Sequence, residues 1–159
     1  MVAPTDILTL IYGTWLLVEQ NGTSNKLGRG TSRYPIGLLT YTPTNYMSAN
    51  IMASEPEFRP SWLQYPNELS DSDTDWAQVG KHTLSYAGPF SLVAMSPGSN
   101  TSGQLIHGPL TMANVPSWVG TEQSRNFKYY ELGGDTWLKI TSGNSTGANN
   151  TGLFWKKIT

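Results

Sequence analysis

The stretch Tyr34–Ala53, YPIGLLTYTPTNYMSANIMA, reads as a β-hairpin and decides the class of the fold. Gly37 to Thr42 combines large aliphatic residues with β-branched and aromatic ones, a composition that suits a pleated, half-buried surface. Pro43-Thr44-Asn45 supplies the turn, because proline presets φ and asparagine tolerates the left-handed conformation that closes short loops. Tyr46 to Met52 then alternates. Tyr46, Ser48 and Asn50 share one face, and Met47, Ala49 and Ile51 share the other. The apolar face belongs against a core. The polar face turns either to solvent or to a polar-lined cavity, and the sequence leaves both directions open.

Working outward, the same signals recur. Thr5 to Tyr12 is a short helix with Thr5 as N-cap and Ile7, Leu8, Leu10 and Ile11 buried. Gly13-Thr14-Trp15 leads into a first strand, Leu16 to Glu19, which is apolar on both faces, as a barrel wall covered by a helix or plug would be. Later strands are Phe90 to Met95, Gln104 to Met112 with a break at Gly108-Pro109, Thr121 to Leu132, Thr136 to Thr141, and Gly152 to Ile158. In the longest of them Gln123, Arg125, Phe127 and Tyr129 share a face. Asn21 to Arg33 and Ser142 to Thr151 read as small-polar loops, and Gly133-Gly134-Asp135 as a tight turn.

One helix is expected in mid-chain, Asp73 to Ala87. Ser72 is its N-cap, Trp76, Val79, Gly80, Thr83, Leu84 and Ala87 form its apolar stripe, and Gly88-Pro89 ends it. Ser54 to Asp71 is broken by Pro56, Pro60 and Pro66 but carries Phe58, Trp62, Leu63 and Tyr65; it reads as a lid over a pocket or a cover for the core rim. The sum is an all-β protein: an antiparallel up-and-down barrel of about eight strands with one mid-chain α-helix, in a single domain spanning residues 1–159.

Composition excludes several function classes. With no cysteine there is no disulfide framework, zinc-thiolate site or thiol nucleophile. A net charge of −1, with 13% of residues charged, argues against a nucleic-acid partner, which needs a clustered basic surface. No apolar run approaches the roughly 18 residues of a membrane span. The N-terminus lacks the basic start of a signal peptide, so a cytoplasmic protein is expected and the Asn-X-Ser/Thr triplets at Asn21, Asn100, Asn144 and Asn149 read as chance. Two histidines cannot build a multi-histidine metal site, and no nucleotide- or metal-binding motif occurs. Neither metal nor cofactor is expected. Oligomeric state is left open.

What remains is chemistry by a few polar groups in an apolar barrel, where burial shifts pKa values and strengthens each hydrogen bond. His107 is the first catalytic candidate, beside apolar Leu105 and Ile106 and just before the Gly108-Pro109 break; the alternative is a structural histidine. Glu122, opening the long strand near Trp118, is the second, with a solvated strand-end carboxylate as its alternative. His82 falls on the polar side of the helix and reads as a surface residue. Tyr41, Tyr46, Asn50 and Trp118 are candidate ligand-binding residues, and Gln123 with Arg125 suits a carboxylate or enolate oxygen. Met47, Met52, Met95 and Met112 suit an adaptable apolar lining.

Three stretches also carry a resemblance: Gly13-Thr14-Trp15, Gly37-Leu-Leu-Thr-Tyr-Thr-Pro-Thr-Asn-Tyr-Met-Ser-Ala49, and Pro116-Ser-Trp-Val-Gly-Thr-Glu-Gln-Ser-Arg125. Together they make the chain similar to the lipocalin-like domain family of small bacterial and fungal proteins, over about residues 10 to 158. The resemblance implies a calycin-type barrel with an interior cavity. It also implies that Trp15 packs at the closed end beneath a cation from a late strand, with Arg125 the candidate and Lys156 or Lys157 the alternatives. Some relatives in fungal biosynthetic clusters are, or accompany, non-redox enzymes, which implies cofactor-independent cyclisation, isomerisation or dehydration of a polyketide- or terpenoid-like intermediate. The rival expectations are a non-catalytic carrier of a hydrophobic molecule, and an interaction module using the aromatics of 58–65.

Overall fold

The computed structural model describes residues 4–19, 32–143 and 152–159, with side chains from Ile7 onward. The expected loops at Asn21–Arg33 and Ser142–Thr151 lie largely outside the described residues, as do the triplets at Asn21, Asn144 and Asn149. Thr5, expected as an N-cap, is instead a helical residue, because the helix already begins at Pro4. A first helix, α1 (Pro4–Ile11), precedes strands β1 (Gly13–Leu17), β2 (Ile36–Tyr41) and β3 (Tyr46–Met52). Helix α2 (Asp73–Lys81) leads into β4 (Thr83–Met95), β5 (Ser102–His107) and the two-residue β6 (Met112–Ala113). Strands β7 (Gln123–Leu132), β8 (Asp135–Ser142) and β9 (Leu153–Lys157) complete the sheet. Every pairing is antiparallel, and because β3 pairs back onto β4 the order β3-β2-β1-β9-β8-β7-β5-β4 closes into a barrel. β6 continues the line of β5 along β4. This is the expected eight-stranded, lipocalin-like all-β architecture.

The hairpin is as its sequence dictates. Asn45 closes the turn at φ 61°, and β2 and β3 pair from Ile36↔Met52 to Tyr41↔Met47. Met47, Ala49 and Ile51 are buried, so Tyr46, Ser48 and Asn50 face outward. Trp15, Leu39, Ala49 and Tyr86 are register partners across four neighbouring strands and form one inner belt, each no more than 5% exposed. On the far wall Leu17, Trp155, Leu138 and Tyr129 continue the interior in the same way.

Three expected boundaries change. The first strand begins at Gly13, not Leu16, because Gly13 already pairs with Tyr41. The mid-chain helix starts where Ser72 accepts a hydrogen bond from Asp75 N but ends at Lys81 instead of Ala87. Thr83 to Pro89 instead satisfies the open edge of β3 over seven register pairs, from Met52↔Thr83 to Tyr46↔Pro89. The apparent helical stripe of Thr83, Leu84 and Ala87 is therefore strand, and the strand expected to start at Phe90 is the second half of β4. The third change is the break at Gly108-Pro109, which ends β5 outright. Gly108 has φ +136°, and a Cβ there would lie 2.5 Å from Thr121 O, so glycine is required.

The short turns at 42–45, 96–101 and 133–134 lie at one end of the barrel, and α1 closes that end. Ile7 and Ile11 enter the core, while Leu10, expected to be buried, is 37% exposed. Trp15 Nε1 donates to Ile11 O at 2.8 Å, and Lys157 Nζ donates to Leu10 O at 2.8 Å from a position 5.2 Å from the Trp15 ring centre. Burial lowers the Lys157 pKa, while nearby Glu131 opposes that shift. The cation over Trp15 is therefore Lys157, not Arg125, which is the third residue of β7, at the other end. That opposite end carries the longer β3–β4 and β5–β7 connections. In the first of these, Pro56–Phe58 is a 3-10 turn and Phe58 stacks on His82 at 3.8 Å, so the proline-broken segment packs beside α2. Among the described residues no helix is long and apolar enough to cross a membrane.

Candidate functional site

The inward faces of β2, β4, β5 and β7 place a small group of polar side chains in an otherwise apolar interior. His107 ends β5 between Phe90 of β4 and Gln123 of β7, and alternation turns its ring inward. It is 1% exposed. Tyr41 Oη lies 2.7 Å from His107 Nε2, and Tyr86 Oη lies 3.4 Å from Nδ1. Arg125 faces inward opposite Leu105. Its Nη1 donates to Ser124 O at 2.8 Å, and its guanidinium carbon lies 5.9 Å from the Trp118 ring centre. Trp118, on a 3-10 turn at Pro116–Trp118, packs edge-on to Tyr86 at 5.5 Å. The chain of contacts is Tyr41, His107, Tyr86, Trp118 and Arg125.

Electrostatics fix the charge states. Burial, and then the Arg125 charge, push the His107 pKa down to about 3, so this ring is neutral near pH 7. Burial raises the Tyr86 hydroxyl, and the Arg125 guanidinium beside it draws it partly back. Tyr41 is raised well above its ordinary value by burial and by Tyr86, with Arg125 again opposing. Among the described residues no carboxylate pairs with Arg125. The result is a partly buried cation beside neutral hydrogen-bonding groups.

The hydrogen bonds allow two tautomers. Among the described residues, His107 is the hydrogen-bond partner of Tyr41 Oη. If Tyr41 donates to Nε2, Nδ1–H points to Tyr86 and the Tyr86 proton is left over. In the other tautomer Tyr86 donates to Nδ1 and the Tyr41 proton is left over, so among these three groups one hydroxyl proton always lacks an acceptor. In the first arrangement Tyr86 has a proton to offer toward the interior, beside Arg125.

The sequence candidates divide on this geometry. His107, Tyr41, Trp118 and Arg125 come together, and Gln123 joins their face at the rim, donating to Thr121 Oγ1 at 3.1 Å. Glu122 is exposed on the β5–β7 connection, outside the interior. Tyr46, 53% exposed, and Asn50 lie on the outer face of β3, because its apolar residues take the inside. Of the four methionines expected to line the interior, Met47 is the buried one, and Met112 is 57% exposed. Tyr86 was missed. Its signal is the period-two run Leu84, Tyr86, Gly88, Phe90, which the helical reading of the same segment concealed. Trp155 was missed too: it is 2% exposed, and its Nε1 is buried with no hydrogen-bond partner among the described residues. No group of three or more potential metal-ligating side chains occurs among the described residues.

Comparison with known proteins now settles the family. The lipocalin-like domain profile matches residues 12–158. The chain belongs to the lipocalin-like domain family. One relative of this lipocalin-like protein is a 4'-hydroxy-3'-methoxypropiophenone carrier protein of Aspergillus oryzae, 33% identical over 81 residues that make up 50% of this chain and 67% of the relative. No solved structure matches the chain. A lipocalin-like barrel is suited to binding small hydrophobic molecules in its interior, and among the described residues of this member the interior polar groups include Tyr41, Tyr86, His107 and Arg125.

Proposed function

We propose that this protein binds a small, largely hydrophobic molecule bearing a carbonyl or phenolic oxygen, and carries it without turnover. The oxygen is set against Arg125 and Tyr86, and the carbon skeleton against the apolar belt. The observation that carries this reading is the inward guanidinium with no carboxylate partner among the described residues, next to the buried Tyr86 hydroxyl. Such a pair favours an oxygen lone pair or a developing oxyanion. The named cargo of the Aspergillus relative, an aryl ketone with ring oxygens, has that chemistry and supports a carrier role. A cytoplasmic setting accords with the cysteine-free sequence.

The test is calorimetric titration with 4'-hydroxypropiophenone. Wild type is expected to bind, Arg125→Met to bind about 10- to 100-fold more weakly, the worth of a charge-assisted hydrogen bond, and Tyr86→Phe about 10-fold more weakly. No binding to wild type, or equal binding by Arg125→Met, overturns the reading.

A second reading is favoured by the Tyr41–His107–Tyr86 chain, which can hold and pass a proton: cofactor-independent cyclisation, isomerisation or dehydration of a polyketide- or terpenoid-like intermediate. His107 and Tyr86 are its acid–base groups. Mass analysis of ligand recovered after incubation separates the two. An isomer, or a product lighter by one water, formed by native but not boiled protein establishes turnover; unchanged ligand establishes the carrier.

A further inference from the structure

The interior holds a second hydrogen-bonding station, on the wall opposite the first. Going round the barrel, β9 lies four strands from β4 in either direction, so Trp155 and Tyr86 project inward from opposed walls. An eight-stranded barrel is just wide enough to be filled by side chains or to hold one small ligand, so a single ligand can reach both walls. Trp155 pairs in register with Leu17 and Leu138, both buried, which fixes its indole on the inner face. Its Nε1–H is a strong donor that cannot accept, and it has no partner among the described residues. Buried donors of this kind are rare in folded proteins. The other interior indole, Trp15, has its own Nε1 satisfied by Ile11 O at 2.8 Å, so the interior does not lack acceptors on principle. Among the described residues the unpaired buried donor is on β9.

We propose that Trp155 Nε1–H is a ligand-binding donor, and that the ligand is two-ended: an elongated aromatic ketone whose carbonyl meets Arg125 and Tyr86 and whose opposite ring oxygen accepts from Trp155. This rests on the interior binding proposed above and narrows it to molecules with acceptors at both ends. Because Nε1 is sealed from water, neighbouring apolar side chains shift to admit the oxygen. An ether oxygen suits the site better than a hydroxyl, since an indole offers nothing for a hydroxyl proton to donate to.

The test pairs 4'-methoxypropiophenone with propiophenone, which lacks the ring oxygen, on wild type and Trp155→Phe. Wild type is expected to prefer the methoxy ketone about 10-fold. Trp155→Phe, which keeps an aromatic ring but no donor, is expected to lose that preference and bind the two ketones alike. An indole proton–nitrogen spectrum of wild type gives a readout independent of the variant's folding: the Trp155 cross-peak moves downfield with the methoxy ketone and not with propiophenone. A wild-type-sized preference retained in Trp155→Phe, or an unmoved cross-peak with bound methoxy ketone, overturns the inference and leaves interior binding intact. If neither ketone binds wild type, both readings fall.

Discussion

A neutral histidine sealed in a barrel makes stability depend on pH in a window that His107 defines. Folding lowers its pKa from 6.5 to about 3. Above pH 6.5 the ring is neutral whether the chain is folded or not, and it contributes no pH dependence. Between pH 6.5 and about 3 the unfolded chain binds a proton that the folded protein refuses, so stability falls as the pH falls, by about 1.4 kcal/mol per unit. From pH 7 to pH 5 the expected loss is about 2 kcal/mol. His107→Gln removes the titrating group and keeps a side chain able to answer Tyr41. The assay is urea unfolding followed by tryptophan fluorescence at both pH values, with stabilities extrapolated to zero denaturant. His82 and the carboxylates are present in both proteins and cancel in the comparison. Wild type should lose about 2 kcal/mol more than His107→Gln between pH 7 and pH 5. If both lose the same amount, His107 takes up its proton in the folded state as readily as in the unfolded one, and the sealed interior described here is wrong.

Two further expectations concern the scaffold. Lys157→Met removes the cation over Trp15 and the hydrogen bond to Leu10 O, so it should cost about 1–2 kcal/mol and lower the melting temperature by about 2–8 °C, read by calorimetry. Adding one methyl group should act in opposite directions at two glycines. Gly103→Ala places a Cβ 2.3 Å from Ala94 O and should cost more than about 1 kcal/mol, whereas Gly80→Ala meets nothing within 4 Å on α2 and should stabilise by about 0.5–1 kcal/mol, both measured by urea unfolding.

Much of this fold is legible because β-structure writes itself locally. The 34–53 hairpin, the Gly133-Gly134 turn and the alternation of β7 depend on neighbours two residues away, and they survive in the structure. What was illegible depended on distant partners. Residues 83–87 carry an apolar pattern compatible with both periods, and only the open edge of β3, 30 or so residues earlier, makes them strand. The Trp15 cation required knowing which end of β7 faces α1, a matter of barrel tilt and not of sequence spacing. The site divided on the same line. His107 and Arg125 stood out as rare residue types in apolar strands. Tyr86 was hidden by the misassigned helix, and Trp155 looked like one more core aromatic, since nothing in a sequence marks an unpaired indole.

The outward turn of the hairpin's polar face follows from what those groups bond to. Asn50 Nδ2 donates to Ser48 Oγ at 3.0 Å, and Ser85 Oγ donates to Asn50 Oδ1 at 2.5 Å. Asn114 Oδ1 accepts from Ser85 N at 2.9 Å, while its Nδ2 donates to Thr83 O at 2.6 Å. This outer seam runs from β3 across β4 to the residue after β6, along the pairing that closes the barrel. The amides and hydroxyls that looked available for a ligand are already spent on each other. Had they faced inward, a ligand's carbonyl would compete with several equivalent donors, and no single pose would be favoured. With them outside, the inward polar groups left to orient a ligand, on the binding proposed above, are Arg125 and Tyr86 on one wall and Trp155 on the other. An interior that poor in polar groups discriminates by where a ligand's oxygens lie, because each unmatched donor is left buried and unpaired.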